Sequence, residues 1–256
     1  MTIGRRALLG LAGLGLLVPL LLVGQGRNRE SGADQLPNVS YDGRFTFARI
    51  RYGTPMEFGF RGRGGSQWAH DYPRAEFNFT KILGELSAVR TRLDGSVVLA
   101  LDDPELFRFP VAYLCEPGWW RPSDAEVTGL REYLLKGGFL ILDDFDGRDW
   151  LNMEAQMRRV LPEARLQRIP PTHPVFDAFY HITDFEGYIH PYSQAPSEFW
   201  GVFEENDPAR RLMIAINYRA DIAEYWEFSD TGFFPIDLSN ESYKLGVNYI
   251  IYALTR

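Results

Sequence analysis

The sequence predicts an α/β fold built on a mostly parallel sheet with helices covering both faces. Three observations carry this. Short apolar runs, VVLAL (97–101), VAYLC (111–115) and FLILDD (139–144), alternate with segments of helical period. Capping and stop signals separate the two kinds of segment. Acidic residues gather just after the apolar runs, at the carboxyl ends of the strands, where open α/β sheets keep their sites.

The elements follow in order. RFTFARIRY (44–52) alternates and is rich in aromatics, which suits a first strand. GTPMEFGFRGRGGSQ is a glycine-rich loop in which Arg61 and Arg63 sit beside Phe58 and Phe60; two such arginines could meet an anion or an acidic partner. FTKILGELSAVR has helical period, with Asn78 placed to cap it. Asp103-Pro104-Glu105 is a helix start after the strand at 97–101. Ser123 with Glu126 forms a capping box for EVTGLREYLLK, and Gly137 ends that helix. FLILDD is the next strand, DWLNMEAQMRRVL a helix opened by Asp149, and ARLQRI a short strand. A loop-rich stretch runs to WGVFEEN (200–206), and RLMIAINY (211–218) is a further strand. ESYKLGVNYIIYALTR closes the chain as a helix with Leu245, Tyr249, Tyr252 and Ala253 on its apolar side.

The 256 residues carry a net charge of −7, which argues against nucleic acid as a partner. A single cysteine, Cys115, excludes an internal disulfide and a multi-cysteine metal site. Residues 1–24 begin with a short basic stretch, MTIGRR, followed by an uncharged apolar run broken by Pro19. That is the layout of an export signal or membrane anchor. Residues 25–42 are polar and turn-rich, as in a linker, and residues 43–256 form the folded domain. The expected location is the outer face of the cytoplasmic membrane or the periplasm, with the N-terminus cytoplasmic if the segment is uncleaved. The expected partners are that membrane and other envelope proteins.

The series WAHDYPRAEFNF, LDDPELFRFP, LREYLLKGGFLILDDF, HPVF, INYRAD and KLGVNYIIYALTR closely resembles the bacterial domain-of-unknown-function family number 4159, over residues 45–256. Such domains are similar to class I glutamine amidotransferases and trehalose-utilisation (ThuA)-like proteins. The resemblance implies a flavodoxin-like sheet and no particular activity. It also implies a comparison. In amidotransferases of this fold a cysteine nucleophile occupies the tight turn after the strand that follows the glycine pair. Here that turn holds Asp143, Asp144 and Phe145, so the nucleophile is missing.

Cys115 lies one strand earlier with no glycine-flanked turn, which suits a small buried thiol. No nucleophile elbow, phosphate loop or zinc-binding helix is present in the sequence, so no residue is assigned as catalytic. The four histidines lack metal-ligand spacing. His70 beside Asp71 is a candidate oriented base, although adjacent residues in an extended stretch point apart. Trp119 and Trp120 form an aromatic turn of the kind that can stack on a sugar or fill an interface.

The acids remain. Asp102, Asp143, Asp144 and Asp146 have no obvious local duty, and like charges brought close need a cation, an arginine or a polyhydroxy ligand. Period two allows only one of Asp143 and Asp144 to face a crevice, and the open turn after Phe145 favours Asp144. Asp102 is expected beside it, with His173 or Asp221 as a third wall. The expected function is a ligand-binding or protein-assembly module of the cell envelope, with no cofactor unless a divalent cation sits at the aspartates. The alternative is a hydrolase using those aspartates, with a metal or water, on a carbohydrate.

Overall fold

The computed structural model describes residues 35–53 and 66–256. The apolar segment 1–24 and the two arginines of the glycine-rich loop, Arg61 and Arg63, lie outside the described residues. Among the described residues no helix is long and apolar enough to cross a membrane.

Seven strands form one sheet in a flavodoxin-like α/β arrangement. They are β1 (Ala48–Ile50), β2 (Val97–Leu99), β3 (Val111–Cys115), β4 (Phe139–Phe145), β5 (Gln167–Arg168), β6 (Glu198–Phe203) and β7 (Leu212–Tyr218). Their order is β2-β1-β3-β4-β7-β6-β5. The first five strands of that order are parallel, and β6 and β5 extend the sheet in antiparallel fashion. The strands are short and apolar because both faces are covered.

One face packs against α1 (Arg74–Leu86), α4 (Ile222–Glu227) and α5 (Ile236–Thr255), around Phe79, Leu83, Trp226, Leu245 and Tyr249. The other packs against α2 (Asp124–Leu135) and α3 (Asp149–Val160), around Leu130, Leu134, Met153 and Met157. Full burial of side chains this size is worth about 1.5–3 kcal/mol each, which makes these two layers the main stabilising term. Gly246 lets α5 approach closely: a Cβ there would lie 2.5 Å from the Trp226 ring and 2.6 Å from that of Phe79.

Local signals and structure differ at three points. Asn78 does not cap α1, which begins four residues earlier; its amide donates to the carbonyls of Trp226 and Glu227 and closes α4 instead. Asp149 is the first residue of α3 and makes no capping bond, whereas Ser123 and Glu126 form the full capping box on α2. Residues 35–39 are no free linker. The Asn38 amide donates to Val98 O at 3.0 Å and its Oδ1 accepts from Val98 N at 2.9 Å, so a side chain pairs with the exposed edge of β2.

Candidate functional site

The parallel strands end at one edge, and the chain changes direction there between β1 and β3. A cluster of titratable side chains gathers at that edge from three segments: the loop after β1, the end of β3 and the end of β4.

The end of β4 carries the cluster's centre. β4 has one residue more than β7 between the pairs Leu142↔Ile216 and Phe145↔Tyr218, which makes a bulge. Asp144 takes up the excess in a left-handed conformation (φ 60°), its N–H donating to Ala220 O at 3.1 Å. The bulge turns its side chain toward the edge, while Asp143 keeps the inward direction of Ile141.

The two acids therefore differ in fate. Asp143 is fully buried and accepts from Tyr113 OH (2.8 Å), Asn217 Nδ2 (3.0 Å) and the N–H groups of Ile222 (2.9 Å) and Ala223 (3.4 Å). Asn217 is itself fixed by Tyr249, whose hydroxyl donates to its Oδ1 at 2.6 Å. Burial pushes the Asp143 carboxyl up to about 6 against the pull of these donors. Asp144, with a side chain 12% exposed, instead meets His70: Nδ1 lies 2.6 Å from its Oδ2. The Cys115 thiol donates to the same oxygen at 3.5 Å, and Glu116 Oε1 stands 3.3 Å from His70 Nδ1.

His70 and Asp71 reach the edge through a buried ion pair. Arg49 on β1 is fully buried, bonds Glu76 of α1 through Nε, and donates from Nη1 to the carbonyls of Trp68 (3.0 Å) and His70 (2.8 Å). Its guanidinium lies over the Tyr113 ring, 4.9 Å from the centroid. A planar fork can hold two carbonyls and a carboxylate together, and the loop is thereby tied to β1. Asp71 follows with φ 63° and is 5% exposed. Among the described residues no N–H or hydroxyl group donates to either of its carboxyl oxygens, and the nearby side chains, Glu224 and Glu227, are themselves acids. Burial and the negative charges of Asp221 and Asp144 raise its pKa well above the usual carboxylate range.

Asp221 lies beneath the cluster, buried, and caps α4 by accepting from Glu224 N at 3.0 Å. Burial and the charges of Asp144 and Asp143 raise it too. Cys115 is fully buried, and burial together with Asp144 and Asp71 keeps its thiol neutral. With Glu116 (φ 47°) and Arg219 (φ 55°), four non-glycine residues hold left-handed backbone at this one edge. Such conformations cost on the order of 1 kcal/mol or more each and concentrate at functional sites.

Three expectations are corrected by this geometry. Asp102 is exposed at the end of β2, and β1 and β3 stand between β2 and β4, so it shares no crevice with Asp144. Asp146 is exposed on the turn into α3, where its carbonyl accepts from Asp149 N. His173 belongs to the opposite edge: its ring packs on Phe203 and Tyr252, near the start of β7, and its Nδ1 accepts from Val175 N at 3.1 Å. The carboxylate partner of His70 is Asp144 rather than its neighbour Asp71. Of the aromatic turn, Trp119 is half exposed and Trp120 is buried in the core.

His70, Asp71, Cys115 and Glu116 were not grouped with Asp144 by sequence reasoning. A signal existed for the first pair, an acid beside a histidine in a loop before a helix, but no local pattern connects it to β4.

No curated protein matches the chain. The family model described as Domain of unknown function (DUF4159) matches residues 46–254, nearly the whole described domain, and the chain belongs to that family.

Proposed function

We propose that the chain is a ligand-binding module of the bacterial cell envelope, an amidotransferase-like domain without its nucleophile, which takes a cationic ligand at the edge around Asp144. One observation carries the reading. Asp143 is saturated by protein donors, while the adjacent Asp144 is turned outward by a bulge into a group of acids that includes Asp71, Glu116 and Asp221. Acids that repel one another favour a cation. The basic start and apolar run of residues 1–24 support the envelope location.

A second reading, a hydrolase acting on a carbohydrate, is favoured by the His70–Asp144 contact, because an imidazole fixed by a carboxylate is the arrangement of a general base. Against it stands the lack of a nucleophile: the turn after β4 holds Asp143, Asp144 and Phe145, and the Cys115 thiol on β3 is buried and kept neutral.

A thermal-shift series on the full chain tests the binding reading with simple probes: alkylamines, polyamines, divalent cations and neutral sugars. A ligand at about 100 times its Kd stabilises by about 2.7 kcal/mol, or about 5–10 °C for a domain of this size. The expected result is stabilisation by a cationic class that disappears in Asp144→Asn. Stabilisation by neutral sugars alone, or a shift that persists in Asp144→Asn, would overturn it.

A further inference from the structure

The acids at the sheet edge gain a more specific meaning from one residue. Two other buried carboxylates of this edge have donors: Asp143 has Tyr113, Asn217 and two amides of α4, and Asp221 has the Glu224 amide. Asp71 lies in the same cluster, is 5% exposed, and among the described residues has no N–H or hydroxyl donor on either oxygen. A buried carboxyl without donors resists ionisation, and a bound cation relieves that penalty. The fold spends left-handed backbone at Asp71 to hold it there.

Around it stand the other donor types that bind metal ions. His70 Nδ1, an Asp71 carboxylate oxygen, Cys115 Sγ and an Asp144 carboxylate oxygen all lie within 4.8 Å of one another. In a tetrahedral zinc site the ligand atoms are about 3.3–3.6 Å apart, from metal–ligand distances of about 2.0–2.3 Å. The contacts of 2.6 Å from His70 to Asp144 and 3.5 Å from Cys115 to Asp144 are therefore within about 1 Å of that spacing.

We propose that His70, Asp71, Cys115 and Asp144 form a four-coordinate site for one divalent transition-metal ion of the zinc class. The inference deepens the reading of a cationic ligand, and rests on it only for the place. Imidazole and sulfur select against Ca²⁺ and Mg²⁺, which take oxygen ligands. Three segments contribute: the loop before α1, the end of β3 and the end of β4. Arg49 is a positioning residue, since it fixes the His70 carbonyl and hence the loop. Binding displaces the thiol proton of Cys115 to solvent and leaves the His70 proton on Nε2, freeing Nδ1 for the metal. The ion supplies the Asp71 carboxylate with a positive partner that the described residues do not. A carboxylate oxygen of Asp71 also lies within 4.8 Å of Glu224 and Glu227, which places further acids behind the ion.

The test is a titration of the full chain, stripped with a chelator, with Co²⁺ followed by absorption. One equivalent is expected to bind, with a near-ultraviolet sulfur-to-cobalt band and the strong visible absorption of tetrahedral cobalt, both abolished when Zn²⁺ is added. Cys115→Ser should lose the sulfur band, and Asp71→Asn should weaken Co²⁺ binding by more than about 100-fold, beyond what loss of an outer partner costs. Asp102→Asn, far from the cluster, should bind as wild type does. No stoichiometric uptake by the folded wild type, or uptake without a sulfur band, would overturn the site. The wild-type spectrum decides even if a variant fails to fold. If cobalt fails while an amine still stabilises wild type and not Asp144→Asn, the metal site falls and the binding reading stands; if both fail, both fall.

Discussion

His70 Nδ1 and Asp144 Oδ2 lie 2.6 Å apart, joined across 74 residues of sequence. The contact unites a loop held by Arg49 with a bulge at the end of β4, and the whole edge cluster is organised around it.

Asp144→Asn should therefore separate binding from folding. Asparagine tolerates left-handed backbone as well as aspartate does, and removing the charge relieves Asp71 and Asp221, both raised by it. The melting temperature is expected at or above wild type while ligand stabilisation is lost. Asp143→Asn next door should behave in the opposite way. It weakens the acceptor for Tyr113 and the α4 amides and should cost about 1–3 kcal/mol in denaturant unfolding. Equal losses in the two variants would contradict the division of labour between these neighbours.

Arg49→Met tests the loop anchor. It leaves Glu76 buried without its ion pair and releases the carbonyls of Trp68 and His70. A loss of about 3–5 kcal/mol is expected, together with faster amide exchange across residues 67–71. A variant with unchanged exchange there would show that the loop is held by other contacts.

His173 supplies a pH dependence away from the site. Burial lowers its pKa from 6.5 to about 4, and its Nδ1 must stay unprotonated to accept from Val175 N. The folded pKa lies below the unfolded one, so the unfolded state binds the extra proton between about pH 6.5 and 4. The stabilisation from this group is complete above the unfolded pKa and is lost as pH falls through that window. Wild type should lose stability between pH 7 and 5 more steeply than His173→Gln. Parallel slopes would remove His173 as the cause.

The proposed export rests on residues 1–24 alone. A reporter active only in the cytoplasm, fused after Arg256, is expected to stay silent in cells carrying the full chain. Strong reporter activity would refute the envelope location.

Local signals disclosed most of the fold. VAYLC begins and ends where β3 does, and the Ser123–Glu126 box opens α2, because burial and capping act within a few residues. Strand order is a long-range property, and there the reading of Asp102 failed: β2 stands at the edge of the sheet, with two strands between it and β4. His173 was assigned to the wrong edge for a related reason. The sheet reverses direction at β6, and Phe203, on which His173 packs, lies at the end that pairs with the start of β7. That Asp143 and Asp144 diverge was expected from period two, but the bulge and left-handed backbone that aim Asp144 at the edge were not legible in the sequence. The group around Asp144 was not, because Arg49, Glu76 and the loop at His70 come together only in the folded chain.

The most direct measurement is anomalous diffraction at the zinc absorption edge from crystals of the full chain grown with Zn²⁺. One strong peak is expected, bounded by His70, Asp71, Cys115 and Asp144, with the Asp71 carboxylate turned to it. A map with no peak there, and with both Asp71 oxygens hydrogen-bonded to protein donors, would contradict the metal site.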